Sequence, residues 1–337
     1  MPPAEGQPPL PSPPPPPAST TEAPPHAQRE DMEDDGAIHQ VGDFTYAAVF
    51  DGHGGDAAAH YMARELHKSF APYVDVLSSA SPSEGPANER GLHCPPALYD
   101  GMQELFAGAD REVIEWLKKN IDPEAAKEAG CTATVLLARA DKLICANLGD
   151  SRCVMSRNGV AQDLSAEHRL YGPGLEVEDE VARVEASGGW VEDGRLCGII
   201  AVARAFGDWE WKGEGLDYIK GAGVEWGCWD EATARNMKFS SDPVIASPAV
   251  SVLEVDPETD EFVMLASDGL WDVFTSEQAV QFARQLFQRG MDAQKVAETL
   301  VDKALQRKSE DNVICAVVDL KGPEGWRGSK KKLFGMF

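Results

Sequence analysis

No stretch of this 337-residue chain approaches the roughly 18–20 apolar residues that a helix needs to cross a bilayer, so no membrane span is expected. The first 28 residues hold no lysine or arginine, which separates them from signal peptides and Arg-rich transit peptides. None of the seven cysteines forms a C-x-x-C pair, and the count is odd. Reduced core cysteines of a cytosolic or nuclear protein are the expectation. No cysteine is followed six positions on by arginine, and there is no Asp-x-Asp pair, no Gly-x-Gly-x-x-Gly and no Walker lysine loop. These absences argue against cysteine-nucleophile, haloacid-type and nucleotide-dependent phosphate chemistry. Positive charge is also scarce, with 31 Lys and Arg against 56 Asp and Glu, for a formal net charge of −25. Such a balance disfavours nucleic acid and anionic membrane surfaces as partners. It would attract basic groups on a substrate, and a bound cation would offset part of it.

What the chain does have is a set of carboxylates in small, glycine-flanked settings. Asp51 lies in Val49–Gly55, Asp150 follows Gly149, and Asp268 and Asp272 share Ser267–Val273. Asp311 precedes Asn312, and Glu33 precedes Asp34. Most of them adjoin apolar runs and so are expected at strand ends. Carboxylates without accompanying Cys or His ligands suit hard, oxygen-seeking ions such as Mg²⁺ or Mn²⁺. That chemistry points to metal-assisted attack on an oxyanion, with phosphate as the first candidate.

With 43% hydrophobic residues the chain can bury a full core. Residues 1–28 are rich in proline, including Pro13–Pro17, and read as a disordered tail. Strands are expected at 44–50, 132–138, 142–148, 152–156, 160–164, 261–267 and 312–318. Asn158-Gly159 marks a hairpin turn. Helices are expected at 56–70, 98–120, 178–187, 275–287 and 292–306, the fourth opening on a Thr275…Gln278 capping box. Residues 209–243 lack clear periodicity and read as an insertion or flap, with Trp209, Trp211, Trp226 and Trp229 as a small local core. Hairpins with helix pairs at either end imply two antiparallel sheets covered by helices.

Six segments occur in order: Arg29-x-x-Met32-Glu33-Asp34, Asp51–Gly55, Gly149–Arg152, Ala201–Asp208, Ser267–Asp272 and Asp311-Asn312. Their order and spacing over about residues 29–320 resemble the metal-dependent, type 2C family of serine/threonine protein phosphatases. The resemblance implies an α+β fold, a four-layer α-β-β-α sandwich of two antiparallel sheets flanked by helix pairs. It implies two Mg²⁺ or Mn²⁺ ions, with Asp51 bridging them, Glu33 and the Gly52 carbonyl completing one, and Asp268 and Asp311 completing the other. Asp150 and Asp272, with Asp268, would match a weaker third metal site. Arg29 would bind substrate phosphate, and His53 would be the general acid. Two ions about 3.5–4 Å apart can share a water and lower its pKa enough to give hydroxide near neutral pH, which attacks phosphorus without a covalent intermediate. A guanidinium offers two parallel hydrogen bonds to phosphate, and a serine or threonine alkoxide leaves better with a proton donor.

Departures from the family pattern accompany the match. The usual Gly-x-Arg strand is absent before Arg29, so the first edge strand is expected to be shortened or missing. Ala203 stands where Ser or Thr is common. His168, Arg152 and Arg204 read as structural, and Asp208 as orienting its turn. The expected partners are phosphoprotein substrates, with the chain a monomer. A different class of function, a catalytically silent metal-binding interaction module of the same fold, would be free to lose the carboxylates that are retained here. The basic-apolar segment 321–337, with Lys330–Lys332 before Leu333–Phe337, resembles docking peptides of mitogen-activated kinases. A solvated tail lying on the acidic body is the plainer reading.

Overall fold

The computed structural model describes residues 18–22, 31–81, 85 and 92–327. Two five-stranded sheets face one another. The first runs, edge to edge, Ala249–Glu254, Lys142–Leu148, Ala133–Arg139, Phe44–Phe50 and Asp35–Val41. The second runs Ala18–Glu22, Ile314–Asp319, Asp260–Ala266, Arg152–Arg157 and Val160–Asp163. Every neighbouring pair in both sheets is antiparallel.

The two-residue period of a strand divides each sequence between two cores. In the strand Phe44–Phe50, Phe44, Tyr46, Ala48 and Phe50 pack outward under helices, whereas Ala47 and Val49 face the opposite sheet. In Asp260–Ala266, Phe262, Met264 and Ala266 face outward, and Val263 and Leu265 face inward. Both strands are buried along their whole length, which is why they read as apolar runs and not as alternating patterns. The helices Ala57–Ser69 and Pro96–Asn120 cover the first sheet through Met62, Leu66, Met102 and Phe106. Ser276–Gln288 and Ala293–Gln306 cover the second through Val280, Phe287, Val296 and Leu300. The result is the expected four-layer sandwich. Local signals in the sequence act as expected too. Thr275 and Gln278 close a capping box, and Asn158 and Gly159 both take positive φ in their hairpin turn.

Three expectations need correction. Residues 18–22 are not part of a disordered tail: they pair antiparallel with Ile314–Asp319 in the register Ala18 to Val318 through Glu22 to Ile314. The first edge strand, expected to be shortened or missing, is present as a short strand from within the Pro-rich segment, Ala-Ser-Thr-Thr-Glu, the stretch between its prolines whose amides are free to donate. Second, residues 209–243 are ordered, with helices Gly215–Glu225 and Glu231–Asn236 after a turn at Trp209–Trp211. They join Leu175–Ala186 and the hairpin Val191–Glu192/Arg195–Leu196 around a core of Val184, Leu196, Trp211, Ile219 and Trp229. Third, only Trp211 and Trp229 of the four tryptophans enter that core; Trp226 is 44% exposed, and Trp209 stacks under Lys118. Within this lobe, burial would raise the Glu180 carboxyl, but Arg204 and Arg183 pair with it and hold it down to about 2. Arg29 and residues 328–337 lie outside the described residues, while the start of the segment 321–337 read as a tail is a short helix, Gly322–Arg327, with Trp326 packed into the core of the second sheet and its helices.

The edge strand gives a direct test. Removing residues 1–22 should expose the backbone of Ile314–Asp319 and lower the thermal midpoint by roughly 2–6 °C relative to removing residues 1–17 only. Scanning calorimetry of the two truncations checks this, and equal midpoints would show that the strand contributes nothing.

Candidate metal centre

The site forms where strands of the two sheets end on the same side. Asp51 follows Phe50, Asp150 follows the Lys142–Leu148 strand through Gly149, and Asp268 follows the Asp260–Ala266 strand through Ser267. One carboxylate oxygen from each of Asp51, Asp150 and Asp268 lies within 4.8 Å of the others. The backbones behind them are tied together. Thr132 donates its N–H to the Asp51 carbonyl at 2.9 Å, and its hydroxyl lies 3.2 Å from that of Ser151. His168 accepts from the Gly149 N–H at 3.2 Å and donates its own N–H to the Gly149 carbonyl at 3.0 Å. Burial drives the His168 imidazole down to about 3, so it stays neutral, as an acceptor in that bond must. This is the structural role expected of it.

The segment Asp31–Asp34 closes the other side. Asn312 accepts from the Glu33 N–H at 2.8 Å and donates to the Asp31 carbonyl at 3.3 Å, so Asp311 and Glu33 come to the same corner. The Glu33 carboxylate accepts from the Gly55 N–H at 2.7 Å. A Cβ on Gly52 would stand 2.2 Å from the Glu33 carbonyl oxygen, so only glycine permits this approach. Asp34 is buried and accepts from the Ser267 hydroxyl at 2.9 Å, while that hydroxyl accepts from the Ile314 N–H at 3.1 Å. Asp272 stands apart from the inner three, 54% exposed and 3.9 Å from Arg169.

Electrostatics mark the cluster as a cation site. Burial, then the charges of Asp34, Asp268, Asp150 and Asp311, push the Asp51 carboxyl well above the usual range. Burial and Asp150 push Asp268 up to about 8. Burial raises Asp34 to about 7, with the Ser267 hydrogen bond opposing it, and burial also raises Asp150. Such a set cannot ionise fully by itself; a hard divalent cation supplies the missing counter-charge. The residues present therefore fit Mg²⁺ or Mn²⁺.

His53 stands beside the cluster with its side chain 27% exposed. Its Nε2 meets the Asp208 carboxylate at 2.8 and 2.9 Å. Burial alone would lower the His53 pKa, but the Asp208 charge and hydrogen bond outweigh it and the net shift is upward, favouring the protonated ring. Gly130 makes room for the pair: a Cβ there would stand 2.3 Å from Asp208 and 2.5 Å from His53. The sequence reading gives Asp208 only a turn, and it does sit at φ +48° before Trp209–Trp211. Its contact with His53, 155 residues away, was not legible; Asn312, Ser267 and Thr132 were likewise missed, because each acts through a bond between segments far apart in sequence. Asp51, Asp150, Asp268, Asp311, Gly52 and His53 all line one open cavity of about 590 Å³, roofed by the helical lobe.

Comparisons with known proteins give the family. A family model described as Protein phosphatase 2C matches residues 26–313. Protein phosphatase 2C 57 of Arabidopsis thaliana is 38% identical over 301 residues, covering 89% of this chain and 74% of that protein. Protein phosphatase 2C homolog 3 of Schizosaccharomyces pombe is 33% identical over 281 residues, covering 82% of this chain and 56% of that protein. The crystal structure of serine-threonine phosphatase 2C from Toxoplasma gondii superposes with a TM-score of 0.63 at 20% identity, covering 90% of this chain and 96% of that one, a likeness of fold. With the family model spanning most of its length and these relatives beside it, the chain belongs to the protein phosphatase 2C family.

Proposed function

We propose that this protein hydrolyses phosphoserine and phosphothreonine esters in protein substrates, with Mg²⁺ or Mn²⁺ held by the carboxylates at the floor of its cavity. The observation that carries the reading is the convergence of Asp51, Asp150 and Asp268 within 4.8 Å in the same cavity as His53. Bound ions would supply an activated water and neutralise phosphate charge. Asp51, Asp268 and Asp311, with Glu33 and the Gly52 carbonyl, are the groups that would hold two of them, and Asp150 and Asp272 would serve a third. The chain's own part in the remaining chemistry falls to His53. Asp208 fixes the imidazole by Nε2 and favours its charged form, leaving Nδ1 to give a proton to the departing serine or threonine oxygen. Arg29, by resemblance, would grip the phosphate.

Three outcomes test this. Exhaustive chelation with EDTA should abolish hydrolysis of p-nitrophenyl phosphate and of phosphopeptides, and Mg²⁺ or Mn²⁺ should restore it. Activity that survives chelation overturns the reading.

Asp51→Asn and Asp268→Asn should nearly abolish turnover while leaving the thermal midpoint in EDTA unchanged or higher, because each relieves repulsion among buried carboxylates. Asp272→Asn, at the exposed edge, should be milder. A variant set that loses stability in EDTA in step with activity would mark these residues as structural.

His53→Gln should lose roughly 10²–10⁴-fold with phosphoserine peptides. The loss should shrink with p-nitrophenyl phosphate, whose leaving group hardly needs a proton, and Asp208→Asn should show the same substrate dependence more weakly. An equal loss on both substrates would remove His53 from the proton-donor role.

A further inference from the structure

One buried acid in the cavity takes no part in the chemistry above. Glu210 lies in the Trp209–Trp211 turn, two residues after Asp208, and lines the same cavity as the carboxylates. It is only 3% exposed, and its Oε2 has no hydrogen-bond partner among the described residues. The Trp211 indole N–H lies near enough to favour the ionised carboxylate without reaching hydrogen-bond geometry. Burial raises the Glu210 carboxyl to about 7, and the charges of Glu128 and Asp208 add to this. The neighbouring cation, Lys127, is already committed: its Nζ donates to Glu124 at 2.7 Å and sits 3.8 Å from the Tyr218 ring. A buried carboxylate oxygen with no partner destabilises the fold, and a ligand that donated to it would relieve that cost.

The surroundings say what that ligand is. Trp226 lines the same cavity and is 44% exposed, one of five large apolar side chains so exposed among the described residues. Glu128, exposed, lines it as well. A carboxylate beside indole faces is a receptor for an ammonium or guanidinium group, through a charge-assisted hydrogen bond and a cation–π contact together. The cavity lining holds seven carboxylates against one arginine, Arg195, so its field draws a cation inward.

We infer that Glu210, Glu128 and Trp226 form a subsite for a lysine or arginine side chain of the substrate protein, close in sequence to the phosphorylated serine or threonine. The inference rests on the phosphatase reading and names its substrate class: phosphorylated segments of basic sequence.

The test is the ratio of kcat/KM for two phosphopeptides measured on the same enzyme with Mn²⁺. One member of each pair carries arginine, and the other alanine, at a single position within three residues of the phosphoserine. Taking the ratio on each variant separately removes any general loss of activity. The wild-type protein should favour the arginine peptide by about tenfold or more at one or more positions, mainly through KM, the size of one well-made charged contact. Glu210→Gln should bring that ratio down to about one to three. Trp226→Ala and Glu128→Lys change exposed side chains and keep the test alive if the buried substitution does not fold. The first should weaken the preference, and the second should shift it toward a glutamate-flanked peptide. A wild-type ratio near one at every position overturns the inference, as does a preference unchanged in Glu210→Gln and Trp226→Ala. Failure to hydrolyse any phosphopeptide or p-nitrophenyl phosphate would overturn the phosphatase reading and this inference with it.

Discussion

Mutual repulsion among buried carboxylates is the constraint on which the rest of this structure depends. Asp51, Asp150 and Asp268, buried or half-buried, are brought within 4.8 Å of one another, an arrangement that costs free energy while no cation offsets their charge. Two stacked sheets can hold it because their central strands are buried on both faces and cannot slip. A shift of one residue in Phe44–Phe50 would exchange the outward set of Phe44, Tyr46, Ala48 and Phe50 with the inward pair Ala47 and Val49. Register, fixed by packing, therefore fixes where each carboxylate emerges.

The polar bonds around the site reinforce that placement. Thr132, Ser151 and His168 join the Asp51 and Asp150 turns. Ser267 joins Asp34 to the start of the Ile314–Asp319 strand, and Asn312 joins Glu33 to the Asp311 corner. Each ties one sheet, or one end of the chain, to another, and each satisfies a buried donor or acceptor that would otherwise be orphaned. The repulsive centre is thus surrounded by a neutral hydrogen-bond frame that holds it without cancelling its charge. The helical lobe is braced by charged groups instead, the Glu180–Arg183–Arg204 cluster, and contributes Trp211 and Trp226 to the lining of the cavity.

Much of this was legible in the sequence. Buried strands announce themselves as apolar runs, helices by their spacing and caps, and Asp51, Asp150, Asp268 and Asp311 by their places at strand ends. What escaped follows from one physical cause. Asp35–Val41 is only partly buried, so neither an apolar run nor a clean alternation marks it. Ala249–Glu254 is a half-covered edge strand with the same mixed pattern. Ala18–Glu22 has no local signature, because its place is decided by backbone pairing with a strand nearly three hundred residues away. The helices of 209–243 are short, and their apolar faces meet tryptophans from neighbouring turns. Asp208 and Glu210 acquire meaning only from what stands opposite them. Local pattern reports burial well and reports partners across the fold poorly.

The pairing of Ala18–Glu22 with Ile314–Asp319 also bears on how the molecule comes into being. The second sheet draws a strand from near the start of the chain and its neighbour from near the end, and Asp311 and Asn312 arrive with the latter. A nascent chain on the ribosome can assemble most of the first sheet and its helices early. It cannot close the second sheet or gather the full set of carboxylates until residues 311–319 have emerged. Contacts of such long sequence separation make folding slow. They also keep Asp311 apart from Asp51, Asp150 and Asp268 until residues 311–319 have been made, so a product cut short before them lacks the full set of carboxylates.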